Sequence, residues 1–256
     1  MNLNLENKVV MITGSSRGIG REIAFGFARE GARLSVCGRT EETLAQAAEA
    51  LRAAGAEVFA HAADVTQATD AEAFVRATLD HYGRVDVLVN NVGGSRKTPT
   101  LEIPDEEWHD LLDLNAVSAA RMSRLVLPAM QKQGGGAIIM IASIFGRESG
   151  GHITYNAGKA AMISLAKSLA REFAPHNIRV NSVAPGSILF EGGSWWRKQQ
   201  ADPEGIAQFV KNELPFGRFG KPEEIADVVV FLASERASWV SGACLNVDGC
   251  QSRSNI

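Results

Sequence analysis

The segment Lys8-Val9-Val10-Met11-Ile12-Thr13-Gly14-Ser15-Ser16-Arg17-Gly18-Ile19-Gly20 decides the fold of this chain. Its first five residues are mostly apolar and β-branched, a composition typical of a strand buried on both faces. Ile19, Ile23 and Phe27 then follow at helical spacing, and Gly31 stands where a glycine ends a helix. A glycine-rich turn between a strand and a helix lets the backbone approach an anion, which free N–H groups and the helix dipole stabilise. Tight packing also explains such glycines, but this strand–turn–helix context favours a dinucleotide.

Outward from this unit, short apolar runs alternate with helical segments to the end of the chain. The predicted strands are 8–12, 32–37, 56–60, 85–89, 137–142, 179–184 and 243–247. The predicted helices begin near residue 19 and then span about 41–54, 70–82, 105–131, 154–174, 203–212 and 222–233. Strands that alternate with helices pair in parallel and form a sheet covered on both faces, so we predict an α/β fold with seven strands.

The chain contains no linker, repeat or low-complexity stretch that would divide it. Residues 1–256 are therefore predicted to form a single domain. Segment 186–214 follows the sixth strand, at the carboxyl edge where ligands bind in open α/β sheets. It is predicted to be irregular up to the helix near 203–212, and Gly192-Gly193 can act as a hinge. We expect it to be a substrate lid.

Composition excludes several classes of function. Hydrophobic residues make up 45% of the 256 residues, and the formal net charge of −3 offers no basic footprint for nucleic acid or a membrane surface. The three cysteines lack the spacing of a zinc site or a disulfide framework, so a reducing cytoplasm is expected. The first residues do not resemble a signal peptide, and no apolar run reaches the ~18 residues of a membrane span.

A second motif is Thr154-Tyr155-Asn156-Ala157-Gly158-Lys159, with Ser143 twelve residues before the tyrosine. On a helix, Tyr155 and Lys159 share a face. A nearby ammonium favours the phenolate and would lower the phenol pKa from its ordinary value of about 10. Ser143 ends the apolar run 137–142, so its hydroxyl is expected to hold a carbonyl oxygen while Tyr155 protonates it. A tyrosine and a lysine at this spacing are often merely surface residues, so this pair does not decide the function alone.

The end of the second strand carries Gly38 and Arg39, with Arg17 in the preceding glycine-rich turn. An acidic side chain at this place binds the ribose 2′-hydroxyl of NAD, whereas an arginine accepts the 2′-phosphate of NADP. Two guanidinium groups without a carboxylate favour NADP(H) over NAD(H), unless Arg39 is only a surface residue. Asp64, after the third strand, is expected to accept a hydrogen bond from the adenine amino group.

Taken together, these motifs resemble those of the short-chain dehydrogenase/reductase family, in its branch of about 250 residues. The similarity extends over nearly the whole chain and implies a Rossmann-type doubly wound parallel sheet of seven strands with helices on both faces. Its markers occur in the family's order, each at a predicted element boundary or, for Asn115, within a helix. They are the turn 13–20, Asn90-Asn91-Val92-Gly93, Asn115, Ser143, Tyr155-x-x-x-Lys159 and Pro185-Gly186.

The resemblance implies a role for each matching residue. Tyr155 is the general acid/base, Ser143 orients the substrate oxygen, and Lys159 lowers the tyrosine pKa and binds the nicotinamide ribose. Asn115 holds a water that links Lys159 to bulk solvent, and no metal is required. The implied cofactor-binding residues are Gly14, Ser16, Arg17, Gly18, Ile19, Gly20, Arg39, Asp64, Val65, Asn91, Gly93, Tyr155, Lys159, Pro185, Gly186 and Ile188.

Three residues depart from the family pattern. Val92 replaces an alanine beside the cofactor and adds bulk there. Phe190 replaces a threonine that often bonds the nicotinamide carboxamide, which puts that contact in doubt. Cys250 interrupts the common Val-Asp-Gly-Gly ending, and we have no functional account of it.

The resemblance implies a reductase of a small-molecule carbonyl or secondary alcohol. The alternatives are a 3-oxoacyl carrier-protein reductase of fatty acid or polyketide synthesis and, in another class, a non-catalytic dinucleotide-binding regulator. The aromatic residues of segment 186–214 suit an apolar or aromatic ketone, while Lys132 and Arg171 form only a weak basic surface for a carrier protein. A free, compact ketone is therefore preferred.

Two surface features complete the expectations. The helices around Asn115 and Tyr155 have more apolar positions than one sheet-facing stripe needs, which in this family accompanies a homotetramer. Basic residues also stand near the predicted cleft mouth; they would suit an anionic substrate, although most are expected to be solvated. They are Arg96, Lys97, Arg147, Arg197 and Lys198.

Overall fold

Seven parallel strands form one sheet in the computed structural model, which describes residues 2–255. The sheet order is β3-β2-β1-β4-β5-β6-β7. Strands β2 and β3 are therefore added on one side of β1, and the strands from β4 onward are added on its other side. The crevice beyond the carboxyl ends of β1 and β4 is where open α/β sheets bind ligands. The strands are Val9–Thr13 (β1), Arg33–Gly38 (β2), Val58–Ala62 (β3), Val87–Asn90 (β4), Gly136–Ile141 (β5), Ile178–Pro185 (β6) and Cys244–Val247 (β7).

Helices cover both faces of this sheet. They are Gly18–Arg29 (α1), Glu41–Ala53 (α2), Ala68–Tyr82 (α3), Asp105–Leu112 (α4), Ser118–Lys132 (α5), Ile153–Phe173 (α6), Ser194–Ala201 (α7), Pro203–Glu213 (α8) and Pro222–Ala233 (α9). Successive strand residues point to opposite faces. Val10 and Ile12 of β1 accordingly pack in the core beneath α1, α2 and α9, and Met11 packs in the core beneath α3, α5 and α6. The predicted doubly wound fold is confirmed.

Two helical regions differ from the sequence prediction. The helix expected over 105–131 is interrupted by a π-helical turn at Asp113–Val117, which separates α4 from α5. Residues 194–201, predicted to be irregular, form α7. The prediction missed α7 because the sequence there lacks apolar residues at helical spacing: Trp195 and Trp196 are adjacent, and the helix has no buried residue.

We call residues 186–214 the α7–α8 segment. Its interior is a small cluster separate from the two sheet cores, built on buried Ile206, Leu214 and Phe219. Trp195 stacks on Phe209 in this cluster, with ring centroids 4.5 Å apart. Within residues 2–255, no helix is both long and apolar enough to pass through a membrane.

Candidate active site

A cavity of about 1620 Å³ opens at the carboxyl edge of the sheet. Pockets for a single small ligand measure about 300–1000 Å³. The volume of this cavity therefore has room for a dinucleotide together with a substrate. All of the predicted site residues line it except Gly18 and Asn115. The loop after β4, the start of α2, residues 144–152, the α7–α8 segment and the end of the chain also line it.

The glycine-rich turn forms the first part of the cavity wall. Gly18 has φ +56°, and a Cβ added there would lie 2.6 Å from the Phe190 ring. A Cβ on Gly20 would overlap the Gly14 carbonyl oxygen and the Asn91 amide. The first turn of α1 contains no acidic residue, so its N–H groups and dipole favour an anion. Side chains at Gly18 and Gly20 would thus collide with the surrounding protein, and the backbone N–H groups at this helix start fit a pyrophosphate group.

Two unpaired arginines flank the cavity at the end of β2. Arg17 and Arg39 are exposed, and neither guanidinium group makes a hydrogen bond or an ion pair within the described part of the chain. Asp64 is the nearby cavity-lining carboxylate, and its Oδ1 already accepts from the Thr66 N–H (3.0 Å) and hydroxyl (2.8 Å). The two guanidinium groups outnumber this carboxylate, so the net charge of these three residues is positive.

The phenol of Tyr155 and the hydroxyl of Ser143 come together on the opposite side of the cavity. Ser143 follows β5 and begins a short 3₁₀ turn, where its Oγ accepts from the Phe145 N–H at 3.2 Å. Tyr155 lies in the first turn of α6, and Lys159 lies one turn later. The Lys159 ammonium is 5.7 Å from the centroid of the Tyr155 ring and donates to the Ile141 carbonyl oxygen at 2.7 Å. Two hydroxyl groups with a lysine behind them can bind and protonate a carbonyl oxygen.

Burial shifts the pKa values of both Tyr155 and Lys159. It raises the pKa of Tyr155 above its ordinary value, and hydrogen bonding with Ser143 opposes that rise. Burial also lowers the pKa of Lys159 to about 7. The expectation that a lysine charge lowers the tyrosine pKa is therefore not met by the chain alone, because burial favours the neutral form of both groups. A protonated phenol is nevertheless the form that can donate a proton.

Asn115 lies behind this wall, within the π-helical turn, and is fully buried. Its amide nitrogen donates to the carbonyl oxygens of Gly94 (2.8 Å) and Leu111 (2.9 Å), and its oxygen accepts from the Gly94 N–H (3.1 Å). A Cβ on Gly93 would lie within 2.8 Å of both Asn115 Oδ1 and Lys159 Nζ. The side chain thus fixes the loop after β4 beside Lys159, and the water-holding role stays a prediction. π-Helical turns frequently mark functional sites.

The three residues that depart from the family pattern have distinct places. Val92 and Phe190 both line the cavity. Cys250 is exposed with φ +65°, and its N–H donates to Asp248 at 3.0 Å. Cys37 also borders the cavity, but burial raises the pKa of its thiol to about 12, so it is not a nucleophile at neutral pH.

Sequence reasoning missed the contribution of the C-terminal residues. Gln251 lines the cavity and holds Ser187 by two hydrogen bonds, accepting from its N–H (2.7 Å) and donating to its hydroxyl (3.0 Å). Arg253, also in the wall, pairs with Glu213 of α8 at 3.2 Å. No local pattern could have indicated these contacts, because they join distant parts of the sequence. Metal ligands are not gathered here: within residues 2–255, no three His, Cys, Asp or Glu side chains are grouped to hold an ion.

Comparison with known proteins identifies the family. The family model described as "Enoyl-(Acyl carrier protein) reductase" matches residues 14–250. The 3-oxoacyl-(acyl-carrier-protein) reductase FabG of Escherichia coli K12 is 37% identical over 96% of this chain and 98% of its own. Dehydrogenase/reductase SDR family member 4 of Oryctolagus cuniculus is 38% identical over 96% and 94%.

A solved structure agrees with these sequence matches. L-Sorbose reductase of Gluconobacter frateurii, complexed with NADPH and L-sorbose, superposes with a TM-score of 0.94 at 36% identity, covering 99% of this chain and 100% of that one. The match to the family model and the similarity over nearly full length lead to one assignment. The chain belongs to the short-chain dehydrogenase/reductase family, oxidoreductases that use a nicotinamide dinucleotide.

Proposed function

We propose that this protein is an NADP(H)-dependent reductase of a carbonyl or secondary-alcohol substrate, with Tyr155 as its general acid/base. The observation that carries the proposal is the meeting of the Ser143 and Tyr155 side chains in the cavity wall, with Lys159 directly behind them. When bound, the reduced nicotinamide supplies a hydride to the carbonyl carbon. The residues of this chain then have to bind the carbonyl oxygen and deliver a proton to it.

Each side chain has one task in this proposal. The Ser143 hydroxyl donates a hydrogen bond to the carbonyl oxygen, which gains negative charge as the carbon is reduced. Tyr155 gives its phenolic proton to the same oxygen and takes it back in the oxidative direction. Lys159 holds its ammonium beside the phenol, and Asn115 fixes the loop that carries Gly93. No metal is needed, because the two hydroxyl groups stabilise the oxyanion.

Tyr155→Phe tests the proposal directly. We expect NADPH oxidation with an accepted ketone to fall by about 100- to 10,000-fold, the usual contribution of a positioned acid. The chain has a second tyrosine for a matched control: Tyr82, on α3, donates only to the Leu34 carbonyl oxygen. Tyr82→Phe should keep the parental turnover. Near-normal turnover of Tyr155→Phe would exclude this residue as the acid.

The proposed preference for NADP(H) rests on Arg17 and Arg39, whose guanidinium groups line the cavity and have no acceptor within residues 2–255. A 2′-phosphate is the group that pairs with such guanidinium groups. We expect the parent to bind NADPH more tightly than NADH and Arg39→Asp to reverse or collapse that preference. Equal dissociation constants of the two cofactors for the parent protein would contradict this.

We propose a free, compact ketone as substrate and keep a 3-oxoacyl carrier-protein reductase as the second candidate. The sorbose reductase structure supports the first, because L-sorbose is a free ketone. The names of the matched family model and of the Escherichia coli relative support the second. Turnover of acetoacetyl groups on a carrier protein, compared with free aromatic and sugar ketones, decides between them. Cofactor binding without turnover of any carbonyl would instead support a non-catalytic regulator.

The remaining features concern organisation. We propose that residues 1–256, whose first and last members lie outside the described range, form one domain and that the α7–α8 segment is its substrate lid. Large apolar side chains stay exposed on the helical surface, Val117 by 46% and Ile153 by 45%, which supports the proposed homotetramer. Light scattering that gave a monomer mass would refute it. Three free thiols suit the proposed cytoplasmic location.

A further inference from the structure

The structure divides the five basic residues that were expected near the cleft mouth into two groups, and the three arginines among them do not line the cavity. The three arginines have acceptors within the chain: Arg96 on the Asp110 carboxylate, Arg147 on the Cys244 carbonyl oxygen and Arg197 on the Gly192 carbonyl oxygen. Lys97 and Lys198 line the cavity, and neither ammonium group makes a hydrogen bond or an ion pair within residues 2–255. Of these five residues, the two lysines are therefore the ones whose charge has no acceptor in the described part of the chain.

Lys97 and Lys198 reach the cavity from different elements. Lys97 lies in the loop that follows β4, and Lys198 lies on α7. The Lys198 ammonium sits 3.9 Å above the centroid of the Trp195 ring, which also lines the cavity. Partial burial lowers the pKa of Lys198, and the charge of Lys97 lowers it further. Both lysines thus line the same cavity, where the charge of Lys97 disfavours the charge of Lys198.

The two glutamates that line the cavity, Glu148 and Glu213, form no ion pair with either lysine. Glu148 accepts from the Ser252 hydroxyl at 2.9 Å and from the Arg253 N–H at 3.1 Å. Glu213 pairs with the Arg253 guanidinium at 3.2 Å. Both acids of this wall are thus committed to the C-terminal residues. Two like charges that face one space without a counter-ion favour a bound anion, which would relieve their repulsion and accept hydrogen bonds from both.

We propose that Lys97 and Lys198 bind an anionic group of the substrate, a carboxylate or a phosphate, at a distance from the reacting carbonyl. The proposal rests on the proposed reductase function and names a class of substrate for it. Trp195 lies beneath Lys198, so the apolar part of such a substrate would contact the indole while its anion contacts the ammonium groups. The dinucleotide phosphates have their own cradle at Gly14–Gly20 and the arginines at the end of β2.

Binding of unreactive ligands separates this proposal from turnover. The probes are 4-phenylbutyrate and its neutral amide, titrated into the protein–NADP⁺ complex by calorimetry. We expect the parent to bind the acid more tightly than the amide. Lys97→Met and Lys198→Met keep an apolar chain of similar length. Each should lower the affinity for 4-phenylbutyrate by about 5- to 10-fold. They should leave the affinities of the amide and of NADP⁺ unchanged.

Arg96→Met and Arg197→Met are matched controls, because each removes a neighbouring cation that already has an acceptor. Both should retain the parental preference for the acid. A second pair of probes, acetoacetyl-pantetheine with and without its 4′-phosphate, distinguishes a phosphate from a carboxylate as the anion. In either pair of probes, the proposal is supported if the parent binds the charged member more tightly and the lysine variants bind both members equally.

Three results would overturn the proposal. In the first, the parent binds the charged and neutral members of both probe pairs equally well. In the other two, the lysine variants lose affinity equally for the acid and the amide, or lose affinity for NADP⁺ alone. Failure of the reductase function would be recognised separately. In that case the parent would bind the cofactor without turning over any ketone, while the charge preference in the binding experiment would be unaffected.

Discussion

The wall that holds Ser143, Tyr155 and Lys159 differs in construction from the α7–α8 segment that faces it. Ser143, Lys159 and the supporting Asn115 are 6%, 3% and 0% exposed, and each is hydrogen-bonded to the backbone. The segment has no buried residue in α7 and a single one, Ile206, in α8. The side chains proposed to handle protons are thus held by buried backbone contacts, while the proposed substrate lid has little interior of its own.

This difference assigns separate tasks to the two regions. A transition state needs donors held within a fraction of an ångström, which requires buried, packed supports. Elements that open for ligands are drawn from parts with few buried contacts. Substitutions in the catalytic wall should therefore change kcat, and those in the α7–α8 segment should change KM.

After Tyr155→Phe, the largest effect is expected from Ser143→Ala. Removing one donor to a developing oxyanion costs about 100- to 1000-fold in kcat. Ser168→Ala is the matched control, since this serine lies on α6, is exposed and bonds only the Ser164 carbonyl oxygen. Steady-state kinetics with an accepted ketone give both values. A kcat of Ser143→Ala within a few-fold of the parent would remove this hydroxyl from the reaction.

Trp195→Ala examines the opposite region. The indole lines the cavity and stacks on Phe209, so its loss should raise KM for an aromatic ketone by up to about 10-fold and leave kcat unchanged. Trp196, adjacent on α7, does not line the cavity, and Trp196→Ala should leave KM unchanged. Equal effects of the two substitutions, or a fall in kcat alone, would show that the stack does not contact substrate.

Burial of Lys159 predicts a dependence of stability on pH. The folded pKa of about 7 lies below the ordinary value of 10.5, so between these values the unfolded chain binds a proton that the folded chain does not. The burial penalty is fully present below pH 7 and is relieved as pH rises. Lys159→Met removes it, so the stability of this variant relative to the parent should be greatest below pH 7 and should decline toward pH 10.

Urea unfolding of the apoprotein at several pH values measures this trend. Lys167→Met is the control, because Lys167 lies on the same helix but is exposed and donates to the Gly242 carbonyl oxygen. Its stability relative to the parent should not vary in the same way. A relative stability of Lys159→Met that stays constant over this range would contradict the burial of a charge at this position.

The smallest effect is expected from the ion pair between Arg253 and Glu213. Their side chains are 81% and 47% exposed, and such pairs contribute about 0.2–1 kcal/mol. Glu213→Gln should therefore lower the free energy of unfolding by less than about 1 kcal/mol. Glu204→Gln, on the same helix without an ion-pair partner in the described part, is the control. A larger loss would mean that the C-terminal residues hold the segment firmly.

The sequence predicted the wall with Ser143, Tyr155 and Lys159 better than it predicted the α7–α8 segment. The strand–turn–helix unit at 8–20 and the alternation of apolar runs with helices are local patterns, so the sheet and its ligand edge could be inferred. Ser143 stands after a strand and Tyr155 at the start of a helix, so their proximity could be predicted from these element boundaries. The π-helical turn around Asn115 could not be predicted, because a single i→i+5 turn leaves no pattern in the residue types.

Other features depend on contacts between distant parts of the chain. Gln251 and Arg253 reach the cavity through residues 64 and 40 positions away. Helix α7 has little amphipathic pattern because its inner face meets only a small cluster. The pKa of Lys159 follows from complete burial, which the sequence alone does not give. The sequence also could not separate Lys97 and Lys198 from the arginines, since only the structure identifies which cations have acceptors.

The division of tasks is tested most directly by a single turnover. The holoprotein with bound NADPH is mixed with saturating ketone, and hydride transfer is followed by the loss of NADPH absorbance. Ser143→Ala should slow this step by about 100-fold, and Trp195→Ala should leave it unchanged. The double variant should match Ser143→Ala, since independent sites have additive effects. A hydride step that Trp195→Ala slows as much as Ser143→Ala would contradict the account.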